Sequence, residues 1–511
     1  MSLCFGDERG SNTRLERKIQ SMSRRSCHFR PMHLLRRMPL FFLMVSAVLV
    51  AGCQPFRPQP RSMDQGVPDQ YALYSGEVDV DSRWWESFGN PELNRLVESA
   101  LTQNFDIRKA WARLQQAQAV AVQAGAGRFP DLTGDADYLK GRQRSASGVQ
   151  SRLESAGAGL VSRYEIDLWG RVQAQHRSAQ LATGASRQDV NAAAVTLAAE
   201  VALRWVGILS QRMQLALLQE QLQTNRILLE LVELRFRNAL ASVLDVYQQK
   251  QVVETVLAEI PLVEQEEQLL LHQLALLTGN PPRVELGITG RRLPELAALP
   301  ATGVPADMLA VRPDVVAAGL RLRSADWQIA EARANRLPAV SLTGRARYGD
   351  GELEALFDNW ILSLAANLTV PLTDGGQRRA EVDRTRAVAD ERLASYRDAV
   401  FTAVKEVEDA LVQEAKQQEH IVRLQRAADT ARNALQEAGM RYRKGLNDYL
   451  PVLTQLLAVQ NLERDLIRKQ ASLLTVRVGL MRALGGNWPN ALSMPETDRI
   501  ENIHAGNVLN E

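Results

Sequence analysis

Two stretches of this chain, 206 positions apart, carry one signature: Arg235, Arg237, Leu240, Leu244 and Val246 recur as Arg441, Arg443, Leu446, Leu450 and Val452. Upstream, Asp106 and the trio Arg128, Phe129 and Pro130 return as Asp314 and Arg336, Leu337 and Pro338, at an offset of 208. Leu132, Thr133, Gly134 and Tyr138 return as Leu342, Thr343, Gly344 and Tyr348, at an offset of 210. Self-similarity on this scale marks a duplicated unit, here helix, strand, strand, long helix, helix. Such a chain is organised as a wall rather than around a catalytic pocket.

The helices set the dimensions of that wall. Beyond Gly170 the first copy reads as helix to about residue 239 without proline, interrupted only by Gly184 and Gly207. The second runs over 377–444, interrupted only by Gly439. At 1.5 Å per residue each spans roughly 100 Å. Return helices are expected over 244–277 and 450–484, and one amphipathic helix over 92–127, ended by Pro130. Arg171, Arg378 and Arg379 sit at the starts of the long helices, the end less favourable to cations, and are expected to face a membrane surface.

Four segments alternate in polarity, over 131–140, 154–168, 339–349 and 360–372. In the first, Leu132, Gly134, Ala136 and Tyr138 oppose Thr133, Asp135 and Asp137; in the third, Val340, Leu342, Ala346 and Tyr348 oppose Ser341, Thr343, Arg345 and Arg347. A polar loop holding Arg142 and Arg144 is expected between the first two. This alternation fits either a sheet packed on a core or a transmembrane barrel with its apolar face to lipid. In a barrel Asp135, Asp137, Arg345 and Arg347 line the lumen. Tyr138, Tyr164, Trp169, Tyr348 and Trp360, near strand ends, suit an interfacial girdle. Four strands cannot close a barrel, and open edges are not tolerated in lipid. Membrane strands in this chain therefore require several copies to pool them; the number of copies does not follow from that argument.

The N-terminus reads as a leader. Two arginines, Arg36 and Arg37, precede an apolar run over 40–50 and the small residues before Cys53, the layout of a secretory signal over 1–52. The run is too short for a spanning helix. The first thirty-odd residues are long and mixed in charge for a leader, which points to a start at Met32. Removing 1–52 leaves 52 basic and 56 acidic residues, so no nucleic-acid-binding face is implied. Cys4, Cys27 and Cys53 all lie outside the folded body, excluding a disulfide framework. Residues 53–80 read as an extended tether rich in Pro, Gln and Asp, followed by repeats over 81–290 and 291–488 and a polar tail over 489–511. No Walker-type loop or nucleophile elbow is present. The six histidines form no ligand-spaced cluster.

Taken in order, these motifs resemble the outer-membrane factor (TolC/OprM-like) family of bacterial efflux pumps, and within it the NodT-type lipoproteins. The residues carrying the likeness are Trp84, Trp85, Phe88 and Gly89, then Tyr164 to Arg171 in the order YEIDLWGR, and Pro371 with Asp374, Gly375 and Gly376. Both Arg-x-Arg signatures and the terminal Ala483, Leu484, Gly485, Gly486, Asn487 and Trp488 complete it. Val50, Ala51, Gly52 and Cys53 resemble a lipobox, which implies a covalent lipid on Cys53 and no other cofactor; Gln54 after it implies delivery to the outer membrane.

The resemblance implies a mainly α homotrimer: a twelve-stranded β-barrel, four strands per chain, continued by a periplasmic α-helical barrel. It implies a periplasmic adaptor (membrane fusion) protein and an inner-membrane RND-type transporter as partners, outer-membrane lipid as surroundings, and no enzymatic activity. By matching position, Arg235, Arg237, Leu240, Arg441, Arg443, Gly445 and Leu446 correspond to the tips that receive the adaptor, and Asp245, Leu450 and Thr454 to the periplasmic constriction. Pro451 and Thr454 depart from the acidic ring that many relatives place there, so either Asp245 supplies the carboxylates or Leu450 acts as a hydrophobic gate instead. The rival readings are the exit duct of a type I protein secretion system and a non-conducting structural lipoprotein spanning the envelope. Deleting codons 1–31 is expected to leave expression and processing unchanged, as read by immunoblot of the mature chain; loss of both would refute a start at Met32.

Overall fold

A computed structural model describes residues 55–58, 71, 83–296, 299, 311–351 and 353–494. The leader, Val50, Ala51, Gly52, Cys53, most of the tether and the tail beyond residue 494 lie outside the described residues. A 3-10 turn, Trp84–Phe88, leads into α1 (Pro91–Gln103), α2 (Phe105–Ala126), β1 (Asp131–Arg144) and β2 (Gln150–Ile166). The first copy ends with α3 (Arg171–Arg237) and α4 (Val243–Leu277). The second repeats it as α5 (Pro313–Ala334), β3 (Ala339–Asp350), β4 (Trp360–Thr369), α6 (Gln377–Arg443) and α7 (Leu450–Leu484). The duplication holds to the residue in the helices. α2 and α5 each have 22 residues, α3 and α6 each 67, and α4 and α7 each 35.

The helix expected over 92–127 is two helices. Asn104 is extended, and its side-chain oxygen accepts from the amides of Asp106 at 2.7 Å and Ile107 at 3.3 Å, so it caps the start of α2. Its amide group also donates to the Leu277 carbonyl at 2.9 Å, satisfying the end of α4. One buried asparagine therefore breaks one helix and closes another. Two of the three arginines at the starts of the long helices are held by carboxylates of the chain: Arg171 grips Glu165 through two hydrogen bonds at 2.9 and 2.7 Å, and Arg378 pairs with Asp374 at 3.2 Å, whereas Arg379 is exposed. Carboxylates also cap these N-termini. Asp167 accepts from the Gln173 amide at 2.8 Å, and Asp374 accepts from those of Gly376 at 3.0 Å and Arg378 at 3.2 Å. These acids offset the cations at the positive end of each helix.

The four strands form one antiparallel sheet in the order β1-β2-β3-β4, with β1 and β4 as its edges. The first hairpin is longer than its polarity suggests. Arg142 and Arg144, expected in a loop, pair with Arg152 and Gln150 inside the ladder, and the turn closes where the Ser145 amide meets the Val149 carbonyl at 3.0 Å. Strand β2 stops at Ile166, so Leu168 and Trp169 belong to the turn, and β4 stops at Thr369 rather than 372. Backbone pairing does not depend on side-chain polarity, whereas alternation marks only the stretch with one apolar face.

Below the sheet, α3 packs on α2, α4, α5 and α7, and α6 packs on α5 and α7. One window of α3 is long and apolar enough to cross a bilayer, yet 61% of it is buried inside the molecule. The main core gathers Trp84, Trp85, Leu93, Trp205, Leu209, Leu274, Val478 and Trp488. Trp85 and Trp488 meet edge to face at 4.7 Å, bringing together aromatic residues from both ends of the folded body. Tyr71, within the segment expected to be an extended tether, is 3% exposed and packs with Val315, Tyr396, Val400 and Leu480.

Between α6 and α7, Arg477 and Glu414 form an ion pair with both side chains only 3% exposed, Arg477 Nε lying 2.8 Å from Oε2. Removing one member of such a pair strands a buried charge and typically costs about 3–5 kcal/mol, whereas an apolar pair of similar volume is tolerated. Arg477→Met should therefore lower the thermal midpoint of the purified protein more than Arg477→Met combined with Glu414→Leu. Equal losses in a melting curve would contradict this.

Candidate functional site

The sheet carries two opposed faces, and the register sets both. On one face Leu132, Leu160, Leu362, Leu364 and Leu368 are all more than half exposed. Ala136, Ala158, Ala346 and Ala366 share this face, Ala346 lying opposite both Leu160 and Leu362. This band ends in aromatic rings. Tyr138 lies on β1, while Tyr348 pairs with Trp360 and contacts Phe357 at 5.6 Å. Beyond them the same face turns charged: Lys140 and Glu154 form an ion pair at 3.4 Å. At the opposite end Tyr164 lies across from Leu342, and Trp169 Nε1 donates to the Pro338 carbonyl at 2.7 Å. An apolar band between aromatic rows is the outer surface of a membrane barrel.

The other face holds the four charged residues predicted for it. Asp135, Gly159 and Arg347 lie in one cross-strand row, with Asp137 and Gly157 in the next. Arg347 Nη1 donates to Asp135 at 2.7 Å, and its second nitrogen donates to Asp137. The arginine reaches β1 from β3 by lying over Gly157, where a Cβ would meet its guanidinium; at Gly159 a Cβ would press on the Ala346 carbonyl. Arg345 stands apart, in the row of Val161 and Ser363.

At the far end of the helices the two turns are built alike. Ala239 and Gly445 adopt positive φ, 59° and 71°. The Leu240 amide bonds the Arg235 carbonyl at 2.8 Å, and the Leu446 amide that of Arg441 at 2.9 Å. These bonds satisfy carbonyls left open by the helix ends. Both turns line one hollow of about 1070 Å³, which takes in Arg235, Leu240, Gly445 and Leu446 but also Asp245 and Leu450. Tip and constriction residues thus share a surface. Arg237, Arg441, Arg443 and Thr454 do not line it. Asp245 accepts from the Ser242 amide at 2.8 Å in a reciprocal capping box, so its carboxylate is engaged in starting α4. Leu450 is 59% exposed, and the Thr454 hydroxyl is turned back onto the Leu450 carbonyl at 2.9 Å.

From Arg235, Tyr442 and Tyr449 in the wall of the hollow, a chain of contacts runs inward to residues that motif reading passed over. The Arg235 guanidinium stacks on Tyr442 at 4.4 Å, and Tyr442 contacts Tyr449 at 5.6 Å. The Tyr449 hydroxyl donates to Gln249, whose amide donates to the Asn225 carbonyl at 2.9 Å; Gln460 donates to Asn225 Oδ1 at 3.1 Å. Burial pushes the Tyr449 hydroxyl well above the usual phenol range, and that of Tyr442 upward. The signal was present in the sequence: Gln249 lies three or four positions from Val246, Val252 and Val253, on the apolar stripe of α4. At the sheet end, the Phe56 amide donates to the Trp169 carbonyl at 3.2 Å, which places the chain three residues after Cys53 beside the strand ends.

The profile of the family described as "Outer membrane efflux protein" matches residues 96–280 and 304–486, one stretch in each repeat. The chain is 32% identical over 462 residues to the pyoverdine export outer membrane protein OpmQ of Pseudomonas aeruginosa, covering 87% of this chain and 96% of that protein. It is 27% identical to Nodulation protein T of Rhizobium leguminosarum bv. trifolii, covering 87% of this chain and 93% of that one. The solved structure of the outer-membrane channel OprN superposes with a TM-score of 0.79 at 29% identity, covering 85% of this chain and 99% of OprN. OprN belongs to the trimeric channels in which a β-barrel continues into an α-helical barrel, the fold class read from the sequence. With both repeats matched, and with the amphipathic sheet and helix tips in place, the chain belongs to the outer membrane efflux protein family and is an outer-membrane channel component of an efflux pump, not an enzyme.

Proposed function

We propose that three copies of this chain form a passive, gated conduit that carries small molecules across the outer membrane of a Gram-negative bacterium. An RND-type inner-membrane transporter supplies the energy and a periplasmic adaptor joins the two. The observation that carries this reading is the union in one chain of a two-faced sheet with free edges and helices of 67 residues. The sheet alone would make a pore and the helices alone a strut. Together they reach from lipid into the periplasm.

In this reading the leucine face meets lipid, and Asp135, Asp137, Arg345 and Arg347 line the lumen. The hollow at the tips receives a helical hairpin of the adaptor, with Leu240 and Leu446, both more than 60% exposed, as apolar contacts. Leu450 narrows the periplasmic mouth as a hydrophobic constriction, which impedes ions by dewetting. The chain is anchored by acyl chains on Cys53, supported by the position of Phe56 beside Trp169 at the strand ends. Each buried CH₂ adds about 0.8 kcal/mol, so one chain holds only marginally and several hold firmly.

Purified protein in planar bilayers is expected to show discrete single-channel steps; a preparation that inserts and never conducts would mark it as a tether. Leu450→Ser should increase entry of antibiotics too large for ordinary porins, read as a fall in inhibitory concentration. Unchanged susceptibility with normal surface levels would remove Leu450 from the constriction.

A further inference from the structure

Most charges on the polar face of the sheet are already matched. Arg347 holds Asp135 and Asp137, and Arg171 holds Glu165. Two cations are left over. Arg163 on β2 and Arg345 on β3 are both exposed, and neither forms an ion pair or hydrogen bond with any described residue. Asp131 lies opposite Arg163 in the ladder and forms no ion pair with it, so two guanidinium groups stand beside one carboxylate. The register brings the two arginines together. Arg163 pairs with Thr343 and Val161 pairs with Arg345, which makes the arginines diagonal neighbours on one face. Such neighbours lie about 7–8 Å apart, close enough for two long side chains to converge on one small anion. Thr343, opposite Arg163, and Ser363, opposite Arg345, add hydroxyl groups that have no hydrogen-bond partner among the described residues. Arg163 and Thr343 also open into a hollow of about 630 Å³ at the end of the sheet nearest the helices, which Ser341 and Asp131 help to line. That is room for a small molecule.

We infer that Arg163 and Arg345, with the hydroxyls of Thr343 and Ser363, form an anion-binding cradle in the lumen for small molecules that carry a carboxylate. This deepens the conduit reading, and rests on it, by naming a chemical class of cargo. The guanidinium fork matches a carboxylate with two parallel hydrogen bonds, which makes arginine the fitting residue for the task. Two like charges held side by side repel each other, and an anion between them removes that repulsion. The cradle faces water, so salt screens it and its hold is weak. A conduit needs such a site, favourable enough to enter and weak enough to leave. The next rows toward the hairpin ends carry Arg347 with Asp135 and Asp137, one cation against two carboxylates. Anion binding is therefore confined to the end of the barrel nearest the helices.

The test uses the full-length protein in planar bilayers, with citrate as the probe and tetraethylammonium as its cationic counterpart. Citrate should interrupt the single-channel current in a concentration-dependent way, and tetraethylammonium should not. Arg163→Gln with Arg345→Gln should weaken the citrate block about tenfold or more, the loss expected for hydrogen bonds to a charged group. Either single replacement should give a smaller loss, and Arg163→Lys with Arg345→Lys should keep part of the block. Arg142→Gln, on the opposite face of the same sheet, should leave it unchanged. Current steps that citrate leaves untouched, equal block by tetraethylammonium, or equal citrate block in the glutamine variant would overturn the cradle and leave the conduit standing. A protein that inserts and never conducts would instead remove the conduit reading, and the cradle with it.

Discussion

An unpaired backbone amide or carbonyl in hydrocarbon costs several kcal/mol, and this sheet has two edges full of them. That cost governs the rest of the molecule. The strands are long enough for a tilted membrane span, and among the described residues none covers their leucine face. The ladder cannot be closed from one chain, so each copy offers a half-made surface that only a like surface completes.

The helical half answers a different problem, how to keep very long helices in register. Apolar packing alone permits sliding, since one leucine fits a groove much like another. The chain adds polar contacts that work at one alignment only. Asn225, Gln249 and Gln460 tie α3, α4 and α7 together near the tips, and the buried Arg477–Glu414 pair ties α6 to α7 farther up. A shift of one turn would leave each of these groups buried without its partner, at a cost of about 1–3 kcal/mol for each neutral group and more for the charges.

Much of this was legible in the residues, and the gaps have physical causes. The repeat, the helix ends near 237 and 443 and the placement of Asp135, Asp137 and Arg347 on one face follow from periodicity and from Gly and Pro signals. The strand ends were misread at Arg142 and Arg144, because alternation reports the apolar band and not the ladder that continues above it. The break at Asn104 was missed although its cap is local, because helix-forming residues flank it on both sides and no glycine or proline marks the break. The burial of Tyr71 was missed because Pro- and Gln-rich composition conceals a single aromatic anchor. At the tips, position in the repeat identified the turns, but only the fold shows that Asp245 is engaged in a cap and that Leu450 shares the hollow with Arg235.

The contact of Trp85 with Trp488 carries a consequence for biosynthesis. These rings are separated by roughly 400 positions, so the largest aromatic cluster stays open until nearly the whole polypeptide has emerged from the export machinery. Pairings of such long sequence separation form late. A chain that stops short of Trp488 leaves Trp85 without the ring that packs edge to face against it. The junction thus closes only when residues from both ends of the folded body are in place.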